Sequence, residues 1–202
     1  MEAAKRYRTI VVDPPWPMGA PHGKRTKSQK GRWVGYGEGP ATVIPYPTMG
    51  LGEIAALPLA DLAEPDAHLY VWTVNKFVEQ TYGIARSWGF KPSTLLTWCK
   101  TPMGIGMGWA HGLTTEHILF CRRGELPYKT RVDSTWWNWR RGKHSAKPEA
   151  FLDLVEQVSP GPYLELFARR NRFGWDTWGD ECLEHVEMGG INPPPNPITK
   201  EA

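Results

Sequence analysis

The chain has 202 residues and a mass of 22.9 kDa, the size of one domain with a single core. Apolar residues make up 41% and charged residues 22%, a globular composition, and no apolar run approaches the ~20 residues of a membrane span. Three cysteines (Cys99, Cys121, Cys182) form no CxxC pair, which argues against a disulfide framework and for a reducing, cytoplasmic compartment.

Residues 9–12 (TIVV) are a β-branched run that stops at Asp13-Pro14-Pro15, so a strand is expected with Asp13 at its carboxyl end. Residues 17–45 show no period and read as a long loop. Residues 49–57 are expected to form a short helix. HLYVWT at 68–73 is almost continuously apolar, the pattern of a strand covered on both faces. Phe77, Val78, Thr81, Ile84, Ala85 and Trp88 then recur at helical spacing, with Gly89 as the stop signal. Further strands are expected at 94–98 and 117–121, either side of a glycine-rich loop at 101–113. Pro148 fits a first helical turn, and Phe151, Leu152, Val155 and Val158 form the apolar stripe that follows it. Ser159-Pro160-Gly161-Pro162 ends that helix and a strand at 163–167 follows. Alternating strands and helices imply a three-layer α/β domain with a mostly parallel sheet. One domain is expected over residues 1–185, and a disordered tail over 186–202.

Charge is unevenly spread. Residues 19–45 carry +4 and residues 122–147 carry +6, which leaves −7 on the rest of a chain whose net charge is +3. Lys24, Arg25, Lys27 and Arg32 lie in the first segment, and Arg140, Arg141 and Lys143 in the second. Both segments also hold aromatics: Trp33 and Tyr36, then Trp136, Trp137 and Trp139. Basic loops interleaved with aromatic rings suit a polyanion whose bases stack, and these seven cations with Trp137 are the candidate nucleic-acid contacts. Two solvated loops are the plainer alternative. His111 and His117 have no second ligand pair at metal spacing, so no metal is expected.

In open α/β sheets ligands bind beyond the carboxyl ends of the strands, where Asp13-Pro14-Pro15-Trp16 is placed. The Asp13 carboxylate and the Pro14 carbonyl can each accept a hydrogen bond, and Trp16 offers a flat ring. Together they suit an exocyclic amine on an aromatic base. A turn built from Asp and Pro is common, so this tetrapeptide alone is moderate support.

Val11-Val12-Asp13-Pro14-Pro15-Trp16 resembles the DPPW motif of AdoMet-dependent adenine-N6 methyltransferases. These are relatives of the catalytic subunit of the eukaryotic mRNA N6-adenosine methyltransferase, with bacterial and phage members. Leu69-Tyr70-Val71-Trp72-Thr73-Val74-Asn75, Trp88-Gly89-Phe90, Trp98-Cys99-Lys100, the Gly104/Gly106/Gly108 loop and Thr115-Glu116-His117 follow in family order. So do His144-Ser145-Ala146-Lys147-Pro148-Glu149, Leu164-Glu165-Leu166-Phe167-Ala168-Arg169 and the run from Gly174 to Glu181. The resemblance covers roughly residues 7–182.

It implies a Rossmann-like class I methyltransferase fold in permuted order, with the catalytic motif first and the S-adenosyl-L-methionine strand last. Asp13 and Pro14, with Pro15 and Trp16, would hold the target amine and base. Asp13, Lys147, Glu165, Phe167, Arg169 and Asn171 would line the cofactor site, joined by Asp180 and Glu181. Phe167 as core, Arg172 as a solvated charge and Glu116 as a surface or loop-anchoring residue are the plainer alternatives. The activity implied is methyl transfer to adenine N6 in nucleic acid, DNA ahead of RNA. A non-catalytic nucleic-acid-binding partner of the same fold, or an amino methyltransferase acting on cytosine N4 or protein glutamine, would be the rivals.

Overall fold

β-Branched and apolar residues at 7–12 give a strand, β1 (Tyr7–Val12), that is buried on both faces and sits inside a seven-stranded sheet. The structure is a computed structural model; it describes residues 5–18, 47–100, 111–140, 146–179, 182 and 186, and the backbone of 25–27 and 33–36. The remaining elements of the sheet are β4 (Ala63–Thr73), β5 (Lys91–Cys99), β6 (Thr115–Arg123), β7 (Trp136–Trp137), β8 (Tyr163–Leu166) and β9 (Trp175–Trp178). Their spatial order is β7-β5-β6-β4-β1-β8-β9, and β6 alone runs against the others. Inside the segment expected to be a featureless loop, β2 (Arg25–Lys27) pairs antiparallel with β3 (Trp33–Tyr36) as a separate ribbon. Runs of three and four residues are too short to show a period, which is why the sequence hides them.

The side-chain alternation of the strands sorts the core into two layers. Ile10, Val12, Leu69, Val71, Leu119 and Leu166 pack beneath α1 (Leu51–Ala55), α2 (Leu59–Leu62) and α3 (Val78–Ser87). Val11, Tyr70, Trp72 and Ile118 pack on the other face, where α4 (Glu149–Val158) buries Phe151, Leu152 and Val155. A single 3-10 turn at Asn75–Phe77 leads into α3. Its Phe77 stacks on Trp16, ring centroids 5.4 Å apart. Six tryptophans (Trp16, Trp72, Trp88, Trp98, Trp175, Trp178) are buried, so most of the unusual tryptophan content is core.

Two features of the topology position the site. The chain leaves β1 toward β4 on one side and β8 toward β9 on the other, so strand order reverses between β1 and β8. Such a reversal opens a crevice at the carboxyl ends of the strands. The second feature is the connection between parallel strands β8 and β9, which uses only residues 167–174 where a dozen or more with a helix is usual. Side chains strap it down instead. Arg172 donates to Asp153 (2.6 Å) and Glu156 (2.9 Å) of α4, Trp175 Nε1 donates to the same Glu156 oxygen (2.7 Å), and Arg170 pairs with Glu149 (2.7 Å). Arg172 is therefore a tether, not a solvated charge.

Candidate active site

Asp13 leaves β1 at the reversal point, its backbone N–H donating to the Leu166 carbonyl of β8 at 3.4 Å. The chain then folds tightly: Trp16 N–H donates to the Pro14 carbonyl (2.8 Å) and Met18 N–H to the Trp16 carbonyl (2.7 Å). The Pro14 carbonyl is thus already engaged, with one lone pair remaining for a second donor. Trp16 is 5% exposed, donates its indole N–H to the Trp72 carbonyl (3.0 Å) and lies on Phe77. This corrects the expectation of an open ring for a base: burial has made Trp16 the anchor of the Asp13 loop.

Four charges form a chain beside Asp13. Lys147, just before the Pro148 N-cap of α4, donates from Nζ to Asp13 Oδ2 at 2.6 Å. It also reaches Glu116 Oε2 at 3.6 Å and lies 5.0 Å from the centre of the Trp72 ring. Lys100, one residue beyond β5, pairs with the other Glu116 oxygen. Burial by itself would depress the Lys147 pKa, but the Asp13 and Glu116 carboxylates outweigh it and raise it. Burial would likewise raise Glu116, yet Lys147 and Lys100 hold it below the usual carboxylate range. Along the chain each charge has the opposite charge as its neighbour. Glu116 is no surface residue. The β5–β6 register, which sets Trp98 opposite Glu116, is what delivers it here, and a single sequence does not show that register.

Asp13 Oδ1 has no hydrogen-bond partner among the described residues. Asp13 lines a cleft enclosing about 50 Å³, whose other walls include Lys147, Phe151, Glu165, Phe167 and Arg169. Glu165 alternates with the buried Leu164 and Leu166 on β8, which turns its carboxyl to the cleft face. Burial, with the Asp13 charge nearby, pushes it up to about 7. No donor among the described residues reaches that carboxyl, an arrangement that invites one from a ligand. Phe167 follows with φ 62°, a left-handed conformation that costs a bulky residue of order 1–3 kcal/mol and is characteristic of functional turns. Its ring is half-buried and meets Trp178 edge-on at 5.1 Å. Directly behind, Gly179 is obligatory, because a Cβ there would fall 2.0 Å from the Ala168 carbonyl oxygen.

Of the residues expected to bind cofactor, Asp13, Lys147, Glu165, Phe167 and Arg169 converge on this cleft. Asn171 is instead directed at β9, donating to Thr177 Oγ1 at 2.9 Å. Asp180 and Glu181 lie outside the described residues. So do Lys24, Arg32, Arg141 and Lys143, while Arg25 and Lys27 are defined in backbone only, on β2. Arg140 is exposed. Trp137 is not an open platform: it is half-buried and stacked on Trp139 (5.2 Å, 11° between planes), whereas its neighbour Trp136 is 60% exposed. Strand alternation in β7 decides which of the two faces water. The described residues contain no cluster able to hold a metal, and no helix among them is long and apolar enough to cross a membrane.

A mostly parallel sheet with one reversed strand, helices on both faces and a cleft at the switch point is the fold of the Rossmann-like AdoMet methyltransferases. The chain belongs to the MT-A70 family, which matches residues 7–181. It is 30% identical, over 93% of its length and 84% of the relative's, to the type II methyltransferase M.MunI of a Mycoplasma species. It is 28% identical to the N6-methyladenosine RNA methyltransferase MTA1 of Pyricularia oryzae, across 93% of this chain and 50% of that one. To the human N(6)-adenine-specific methyltransferase METTL4 it is 27% identical, across 91% and 39%. The chain therefore spans about half, or less, of the latter two. The donor set suits the family's cofactor: a cation in Lys147 for a carboxylate, an acceptor without a donor in Glu165 for a hydroxyl, and a ring in Phe167 beside it.

Proposed function

We propose that the protein transfers a methyl group from S-adenosyl-L-methionine to the exocyclic N6 amine of adenine in nucleic acid, with DNA ahead of RNA as substrate. The observation that carries this reading is the Asp13 carboxylate. One oxygen is locked by Lys147 and the other has no partner among the described residues, while the next residue, Pro14, keeps one carbonyl lone pair for a second donor. The amino lone pair of adenine is delocalised into its ring and attacks poorly. Two fixed acceptors for its two N–H groups favour a pyramidal nitrogen, and the negative charge of Asp13 stabilises the positive charge that develops there. The cofactor, when bound, supplies an electrophilic methyl on a sulfonium. Lys147 would hold its carboxylate, and Glu165 would accept from its ribose. A base in duplex DNA must leave the stack to reach Asp13.

DNA stands ahead of RNA because the motifs are spelled in the prokaryotic manner. The type II methyltransferase is also matched along 84% of its length, against 50% for the RNA methyltransferase. The basic segments at 19–45 and 122–147 supply the charge such a partner needs. Radiolabelled cofactor offered with DNA, RNA and protein in parallel tests the assignment. Label recovered as N6-methyladenine in DNA is the expected result. Label on cytosine or on protein, or nucleic-acid binding without transfer, would replace it with one of the rival readings.

A further inference from the structure

A second cavity, of about 360 Å³, lies on the α4 face of the sheet and shares no wall residue with the cofactor cleft. It exists because α4 is only ten residues long and covers the sheet over β1 and β4, leaving the same face of β5 and β6 to the segment that runs from Leu126 to Trp137. Its size falls within the ~300–1,000 Å³ of small-molecule sites. Three kinds of group meet there. Leu96, Phe120 and Trp137 give an apolar, aromatic floor. Ser93, Thr94, Thr130 and Thr135 contribute hydroxyls that bond to no protein group among the described residues. Arg122 brings a guanidinium that makes no hydrogen bond or ion pair among them.

The base of the cavity is rigid. Tyr70 and His68 both contact Ser159 Oγ at 2.8 Å, and the other His68 nitrogen lies 3.1 Å from the Leu126 carbonyl. Those groups are satisfied and buried, so they shape the site without competing for its ligand.

We propose that this cavity binds one nucleotide unit, its base against the Phe120 ring among the hydroxyls, with Trp137, already stacked on Trp139, closing the wall, and its phosphate on Arg122. An aromatic ring calls for the floor, ring-edge donors and acceptors call for hydroxyls that serve as either, and a phosphate calls for a planar cation. The unit has two sources, a free mononucleotide or a nucleotide of a bound strand lying outside the target base. Only the second rests on the nucleic-acid reading above.

Uridine 5′-monophosphate is the probe, because it has no exocyclic amine to draw it to Asp13. Titrated calorimetrically into the full chain, it is expected to bind one-to-one, unaffected by saturating S-adenosylhomocysteine. Arg122→Gln, checked by thermal melt, should weaken it at least about tenfold, the value of a charge-assisted contact. An octathymidylate titration separates the sources: a loss shared by strand and mononucleotide assigns the site to the strand, a loss confined to the mononucleotide assigns it to free nucleotide. No saturable binding by folded protein, an Arg122→Gln variant that binds as wild type, or displacement by S-adenosylhomocysteine would overturn the proposal.

Discussion

Replacing Asp13 with asparagine tests the proposed chemistry most directly, because it keeps shape and one acceptor oxygen while removing the charge. The structure sets the expected cost. Asp13 Oδ2 lies 2.6 Å from Lys147 Nζ, a gross attraction of ~6 kcal/mol at the effective dielectric of ~20 that suits protein sites. About a fifth of each side chain still meets water, 23% for Asp13 and 21% for Lys147, and Lys147 retains Glu116 at 3.6 Å. The net loss of stability should therefore be only about 1–2 kcal/mol. For a domain of this length that lowers Tm by roughly 2–8 °C, leaving the variant folded at 25 °C. Methyl transfer should fall much further, at least ~10²-fold, the usual cost of one preorganised polar contact at a developing charge. Single-turnover transfer of labelled methyl to an adenine-containing oligonucleotide, at saturating cofactor and with a melt alongside, reads both quantities. A folded Asp13→Asn variant that transfers at near the wild-type rate would refute the assignment of Asp13.

Glu165→Gln should stabilise the protein selectively at high pH. The folded-state pKa of Glu165, about 7, lies above its ordinary 4.5, so the native state holds a proton the unfolded chain releases. Stability from this group falls as pH rises from about 4.5 to 7, by up to ~3 kcal/mol, and melts at pH 5 and 8 should show a variant advantage only at pH 8. Gly179→Ala drives a methyl against the Ala168 carbonyl and should cost at least ~1–3 kcal/mol by denaturant titration. Arg172→Ala cuts the strap between α4 and the β8–β9 connection; about 1 kcal/mol of stability and a higher KM for cofactor with little change in kcat are expected. Trp137→Ala should melt early, because it removes a half-buried ring from the stack with Trp139. Trp136→Ala should leave the melt unchanged and weaken oligonucleotide binding at every salt concentration, by ~1–3 kcal/mol if a base stacks on it.

What the sequence revealed and what it hid divides along one physical line. β1, β4, α3, α4 and β8 were legible because each buries a periodic or continuous apolar set, and the burial is local to the element. Asp13 was legible for a related reason: two prolines end the strand and fix it at the sheet's edge. β7 and β9 were not. Trp136–Trp137 and Trp175–Trp178 are short tryptophan-bearing segments whose strand state comes from pairing with Thr97–Trp98 and with β8. The same limit explains why Trp16 and Trp137 read as open platforms. An aromatic ring in a loop-like stretch carries no local sign of whether Phe77 or Trp139 will cover it.

The charge chain makes the point at the site itself. Asp13, Lys100, Glu116 and Lys147 come from the ends of β1 and β5, the start of β6 and the approach to α4, and no spacing in the sequence links them. Three-dimensional convergence alone shows that Lys147 has two carboxylates to serve. That changes what the lysine can do. With Asp13 Oδ2 and Glu116 already at hand, its approach to a cofactor carboxylate adds a third anion around one cation. Lys100, holding the other side of Glu116, supplies the compensating positive charge. Lys100→Met should therefore weaken cofactor binding although the only carboxylate it pairs with among the described residues is Glu116. Calorimetric titration of S-adenosylhomocysteine into the wild type and the variant, with a thermal melt alongside, measures the difference. Equal affinities would show that Lys147 works independently of the lysine behind it.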